Sequence, residues 1–129
     1  MRNTAFLDAC GDSRMLFFER QGFSMREFER LRFGPVIQRD ELQYFRELRM
    51  LEEYSVTLTL SAASEDGARF KLENRFYKSG DKLAAIVTST GGWLSLEARK
   101  LMVPPEALKA ATQGLVRAEN FEILPSLVG

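Results

Sequence analysis

The apolar residues of this chain recur first with a helical period and then with a period of two. From Asn3 to Phe23, Phe6, Ala9, Cys10, Ser13 and Phe17 follow i, i+3, i+4, i+7 spacing, and Leu7, Met15, Leu16 and Phe18 widen the stripe. Only a narrow ridge stays polar: Asp8 and Asp12 lie four apart on it, Glu19 lies beyond, and Arg14 and Arg20 flank it. From Gly34 to Leu96 nearly every segment alternates like a β-strand. One apolar helix followed by a run of strands predicts an α+β domain, an antiparallel β-sheet wrapped around a central α-helix. Chemistry in such a fold falls at the ends and edges of the helix.

The element boundaries follow from local signals. Asn3 or Thr4 can cap the first helix, Gln21-Gly22 ends it, and Gly11 within it suggests a close backbone approach. Ser24 and Glu27 form a capping-box pattern for a short second helix that Gly34-Pro35 should stop. Val36 to Phe45 is polar on both faces, which predicts an edge strand or a strand at a subunit interface. Leu48, Met50, Tyr54, Val56, Leu58 and Leu60 share one face of the next strand, and Asp66-Gly67 predicts a hairpin turn. The returning strand points Phe70, Leu72, Asn74 and Phe76 inward and Arg69, Lys71, Glu73 and Arg75 outward. After a turn at Ser79-Gly80-Asp81 comes Leu83 to Ser89, continued by Trp93 past Gly91-Gly92, where a bulge or a close ligand approach is expected. Pro104-Pro105 opens a short helix to about Leu115, and 116–129 reads as a loosely specified tail. The whole is one domain, 1–129, with its core in 1–115.

Composition narrows the function classes. With 129 residues, 45% of them hydrophobic, the chain can build one small core. Eighteen basic residues balance 18 acidic ones, which argues against nucleic acid as a partner and favours an oligomer. The single cysteine, Cys10, allows no intrachain disulfide and fits a reducing compartment; no signal peptide or membrane span is visible, so the expected location is cytoplasmic. There is no histidine, which removes Ser-His-Asp and Cys-His nucleophiles, HExxH zinc sites and a histidine base. Catalysis must use carboxylates, backbone dipoles or a partner chain, and no metal site is expected.

The stretch Met1-Arg2-Asn3-Thr4-Ala5-Phe6-Leu7 followed by Arg14 resembles the H-x-N-N-x-x-Y-L...R opening of the central helix in hotdog-fold acyl-CoA thioesterases of the 4-hydroxybenzoyl-CoA thioesterase-like group. Gly34-Pro35-Val36 leading to Arg39-Asp40-Glu41 resembles their second strand, and Ser64 to Phe70 their long hairpin. The likeness runs to about Ala111. It implies a hotdog fold with the family's first strand missing, since the chain begins at the helix, and it leaves the family's catalytic loop acid either upstream of Met1 or absent.

The resemblance also assigns roles. Asn3 aligns with the position whose backbone amide polarises the thioester carbonyl, a use that free N–H groups at a helix start support on their own; the other reading is a simple helix cap. Asp12, and after it Asp8, are the candidate catalytic carboxylates, because hotdog enzymes lacking the loop acid can use one from the central helix. Their alternative is a solvated ridge, with Asp12 paired to Arg14. Arg99 and Lys100 resemble basic residues that hold the phosphates of coenzyme A. Asn74 and Asp40 read as structural polar groups whose partners a two-fold interface could supply, and Cys10 as a core residue. The implied function is hydrolysis of an acyl-CoA or acyl-carrier thioester by a homodimer or homotetramer, with no cofactor besides the coenzyme A of the substrate. The alternative is an impaired acyl-CoA-binding or interaction protein that keeps the fold. A dehydratase of the same fold needs a histidine and acid pair.

Overall fold

The computed structural model describes residues 3–49 and 51–128, with the side chains of Asn3 and Thr4 outside the described part. The capping expected of Asn3 or Thr4, and the expected placing of Met50 on a strand face, therefore fall outside the described residues.

Helix α1 spans Asn3–Arg20. It ends as its sequence predicts: Gly22 takes φ 92°, Phe23 N donates to Phe18 O at 2.8 Å and Gly22 N to Glu19 O at 3.0 Å, the paired bonds of a Schellman turn. Ser24 caps α2 (Met25–Leu31) by accepting from Glu27 N at 3.2 Å. Only half of the capping box forms, because the Glu27 carboxylate pairs with Arg30 instead. Gly34-Pro35 does not stop α2. Arg32 does, in the left-handed region at φ 61°, and Gly34 and Pro35 already belong to β1 (Phe33–Tyr44).

The strands β2 (Tyr54–Ser64), β3 (Arg69–Lys78), β4 (Lys82–Ser95), β5 (Lys100–Leu101) and β6 (Arg117–Leu124) complete one six-stranded sheet, ordered β1-β4-β3-β2-β6 with β5 on β4. Among the described residues β1 pairs with β4 alone and is an edge strand, as its polarity on both faces predicts. The Asp66-Gly67 hairpin forms, with Gly67 at φ 79° and Asp66 Oδ1 accepting from Ser64 Oγ at 2.7 Å and Ala68 N at 3.0 Å. β3 turns Phe70, Leu72, Asn74 and Phe76 into the core.

Other expectations are corrected. β2 starts at Tyr54, not at Leu48. A turn closed by Glu52 N to Arg49 O at 3.1 Å, with Leu51 at φ 65°, precedes it, and Leu48 reaches the core from a loop. The expected tail contains β6, which pairs parallel with β2, so the sheet is mixed. The register passes from Leu60↔Arg117 to Ala62↔Glu122, so residues 118–121 bulge out of the ladder and hide the strand's alternation. At Gly91-Gly92 the close approach is by backbone. A Cβ on Gly91 would collide with Val36 O, and one on Gly92 would lie 2.6 Å from Ala68 O, while the register shift lies opposite, between Ile37 and Arg39 of β1. Gly11 has nothing within 4 Å of a Cβ position and accommodates no close neighbour among the described residues.

The short helix α3 is Glu106–Gln113, anchored by buried Leu108. α1 lies across one face of the sheet, and the residues it buries most deeply are Phe6, Cys10, Arg14 and Phe18, a single i, i+4 row. Two apolar clusters result. Phe6 and Cys10 meet Leu48, Phe76, Ala85 and Val87; Phe18 meets Phe28, Phe33, Phe70, Leu72 and Trp93.

Candidate functional site

Arg14 does not flank the polar ridge. It points into the sheet, 7% exposed, between the two apolar clusters. Its Nε and Nη2 donate to Asn74 Oδ1 at 3.0 and 2.7 Å, and Nη2 also donates to Ser89 Oγ at 2.7 Å. Ser89 donates in turn to Asp40 Oδ1 on the edge strand. Asn74 Nδ2 donates to Ser13 Oγ at 2.9 Å and Thr57 O at 3.1 Å. The partners of Asn74 thus come from the same chain and not from a two-fold interface. Burial pulls the Arg14 pKa below its ordinary value, and Cys10 and Asp40 oppose that shift. Burial pushes the Cys10 thiol up to about 11, although Arg14 acts against it, so Cys10 is a neutral core group and not a nucleophile.

The opposite side of α1 is open. Asp8 and Asp12 stand exposed, one turn apart, and Arg14 pairs with neither of them in any hydrogen bond among the described residues. Together with Ala5, Ala9 and Leu16, and with Tyr54 and Val56 of β2, they line a shallow groove of about 410 Å³. The small Ala5 and Ala9 leave room beside the helix backbone, and Leu16, 51% exposed, supplies an apolar wall. Ser13 lines the same groove and is held from beneath by Asn74. Asn3 is the first described residue of α1, and the groove begins two residues further on, at Ala5. At 1.5 Å per residue, Asp8 and Asp12 stand roughly 7.5 and 13.5 Å along the helix from Asn3, so within one chain Asp8 is the carboxylate nearer the positive end of the helix.

A second cleft of about 400 Å³, formed by Phe6 with the 44–48 segment, lies at the same end of α1. Sequence reasoning missed it, because it depends on Leu48 folding back from a loop. A larger concavity, about 630 Å³, is on the other face of the sheet and is lined by charges of both signs, including Lys71, Glu73 and Arg75. It has no helix end and none of the candidate carboxylates.

Arg99 sits exposed on the turn between β4 and β5, at φ 58°, and Lys100, also exposed, opens β5. That turn follows Ser95, which pairs with Phe33 at the start of β1, the end where Phe18 packs on Trp93. The start of α1 is at the other end, where Phe6 packs on Tyr44 and Phe76. Eighteen helical residues span roughly 27 Å, so one chain does not bring Arg99 and Lys100 to Asn3. Among the described residues no cluster of three or more His, Cys, Asp or Glu could hold a metal ion, and no helix is long and apolar enough to cross a membrane.

Comparison with known proteins agrees with this fold. The fold is similar to that of a 1,4-dihydroxy-2-naphthoyl-CoA thioesterase from Synechocystis, at 18% identity over 89% of this chain and 84% of that one, with a TM-score of 0.77. It is similar to a Staphylococcus aureus protein solved in complex with CoA, at 19% identity over 100% of this chain and 77% of that one, TM-score 0.79. A gentisyl-coenzyme A thioesterase matches at 17% identity over 88% and 87%, TM-score 0.75. Among curated proteins none matches the chain. Residues 1–112 match the thioesterase-like superfamily. A sheet packed on one central helix, with a groove along that helix, is the hotdog arrangement, and this chain belongs to the thioesterase-like superfamily.

Proposed function

We propose that this protein hydrolyses the thioester of an acyl-CoA in the groove along α1, as one domain working in a homo-oligomer. The observation that carries the reading is the groove itself, with Asp8 and Asp12 on a wall that runs along α1 from Ala5 to Leu16. The backbone amides at Asn3 and the following turn polarise the thioester carbonyl, and Asp12, or Asp8 one turn nearer the helix start, acts as nucleophile or as base for a water. The acyl group lies against Ala5, Ala9 and Leu16. No cofactor takes part beyond the coenzyme A of the substrate.

Pairing supplies what one chain lacks. β1 has one free edge and exposes Ile37 and Tyr44, with Phe45 exposed just past its end. Antiparallel pairing of two β1 strands about a two-fold axis sets the Phe33 end of one copy against the Tyr44 end of the other. Arg99 and Lys100 of one copy then lie at the end where α1 starts in the other, positioned for the phosphates of coenzyme A. Two such dimers can pair further as a tetramer. The buried, un-ionised thiol of Cys10 supports a reducing compartment, the cytoplasm.

Thiol release from a panel of acyl-CoA esters tests the reading, with binding of a non-hydrolysable acyl-CoA thioether measured in parallel. Release from at least one ester, lost in Asp12→Asn, is the expected result. Binding without release would make the chain an acyl-CoA-binding protein, and the absence of both would end the proposal.

A further inference from the structure

The polar band between the two apolar clusters emerges at two separate places. One end is Ser13, on the wall of the α1 groove; the other is Asp40, on edge strand β1. Asn74, Arg14 and Ser89 join them, and Asn74 and Ser89 are fully buried.

Rings anchor both ends of α1, Phe6 on Phe76 at one end and Phe18 on Trp93 at the other. The middle, which carries Asp12 and Ser13, is held to the sheet by the Arg14 and Asn74 hydrogen bonds. Ser89 gives that hold a direction: by donating to Asp40 it turns a lone pair toward Arg14 Nη2. Asp40 is exposed in the single chain, where water screens its charge from Arg14. A second copy laid along β1 removes that water, and the attraction strengthens as the effective dielectric falls.

We propose that Asp40 and Ser89 are positioning residues which, through Arg14 and Asn74, fix the groove wall of α1 and do so fully only when a second copy covers β1. This rests on reading the groove as the thioester site and β1 as the pairing strand. It makes the site dependent on assembly, although Asp40 and Ser89 touch no substrate.

The test is a double-mutant cycle on the full chain, with Asp40→Asn, Ser89→Ala and the pair. Dimer dissociation constants come from sedimentation velocity, and turnover is measured where every variant is paired. Asp40→Asn and Ser89→Ala should each weaken pairing about tenfold, and the pair no more than about twofold beyond either, because both cut one relay. In the paired state kcat should fall about tenfold with KM within about twofold, since helix position is lost and binding contacts are not. Asp40→Glu should restore most of both. Additive effects, unchanged dissociation, or Asp40→Glu behaving like Asp40→Asn would overturn the proposal. Should Ser89→Ala fail to fold, the contrast of Asn and Glu at exposed position 40 decides alone. If the wild type releases no thiol from any ester, the thioester reading fails, and the dissociation measurements still decide the relay.

Discussion

Arg14 and Asn74, 60 positions apart, meet in the interior with two guanidinium donors on one amide oxygen, at 3.0 and 2.7 Å. The pair fixes the register of α1 over β3, because a side chain that spends its donors on one acceptor tolerates little sliding of the helix. Replacing Asn74 with Leu removes that acceptor and the donors to Ser13 and Thr57 O, leaving a buried cation short of partners. The expected loss is about 3–5 kcal/mol in urea unfolding, and a loss below about 1 kcal/mol would show that the pair does not hold the fold.

Asp12 carries the catalytic assignment. Asp12→Asn should lower kcat by a factor of about 10² to 10⁴ while leaving acyl-CoA binding nearly intact, and Asp8→Asn should have a milder effect. Steady-state kinetics on the two variants check this. Rapid turnover that survives both substitutions would remove the site from this helix.

Strand β1 is expected to be the pairing edge. Arg39 and Glu41 are both exposed on it, their charges 3.3 Å apart. Arg39→Glu sets two like charges together there and should weaken association by about tenfold or more. A wild-type chain that sediments as a monomer at micromolar concentration contradicts the assignment.

Cys10 makes stability depend on pH in the alkaline range. Burial raises its pKa in the folded chain from the ordinary 9.0 to about 11, so ionisation favours the unfolded chain. The contribution of the neutral thiol is complete below pH about 9 and is lost as pH rises toward 11. Cys10→Ala should flatten the decline in thermal midpoint across that window relative to wild type. Identical slopes for the two proteins would count against the shift.

Gly92 is required by backbone crowding. A Cβ there lies 2.6 Å from Ala68 O, the acceptor that Trp93 N reaches at 3.1 Å. Gly92→Ala must displace the β3 end of the hairpin or the Trp93 backbone, and should cost about 1–3 kcal/mol or more, measured by chemical denaturation.

What the sequence determined by itself is local. The Schellman end at Gly22, the Ser24 cap, the Asp66-Gly67 hairpin, the inward row of β3 and the edge character of β1 each rest on a few neighbouring residues, whose periodicity or turn chemistry is complete within the segment. The exposure of Asp8 and Asp12 followed from the ridge in the same way. Tertiary structure decided what depends on pairs distant in the chain. Arg14 belongs by spacing to the row Phe6, Cys10, Arg14, Phe18, but its charge argued for the surface until Asn74 and Ser89, 60 and 75 positions away, supplied acceptors for its donors. β6 was hidden because its four-residue bulge breaks the alternation and its pairing with β2 is parallel and remote. The separation of Arg99 and Lys100 from the start of α1 was likewise invisible, since a charge in a sequence has no location until the strands before it are laid in order.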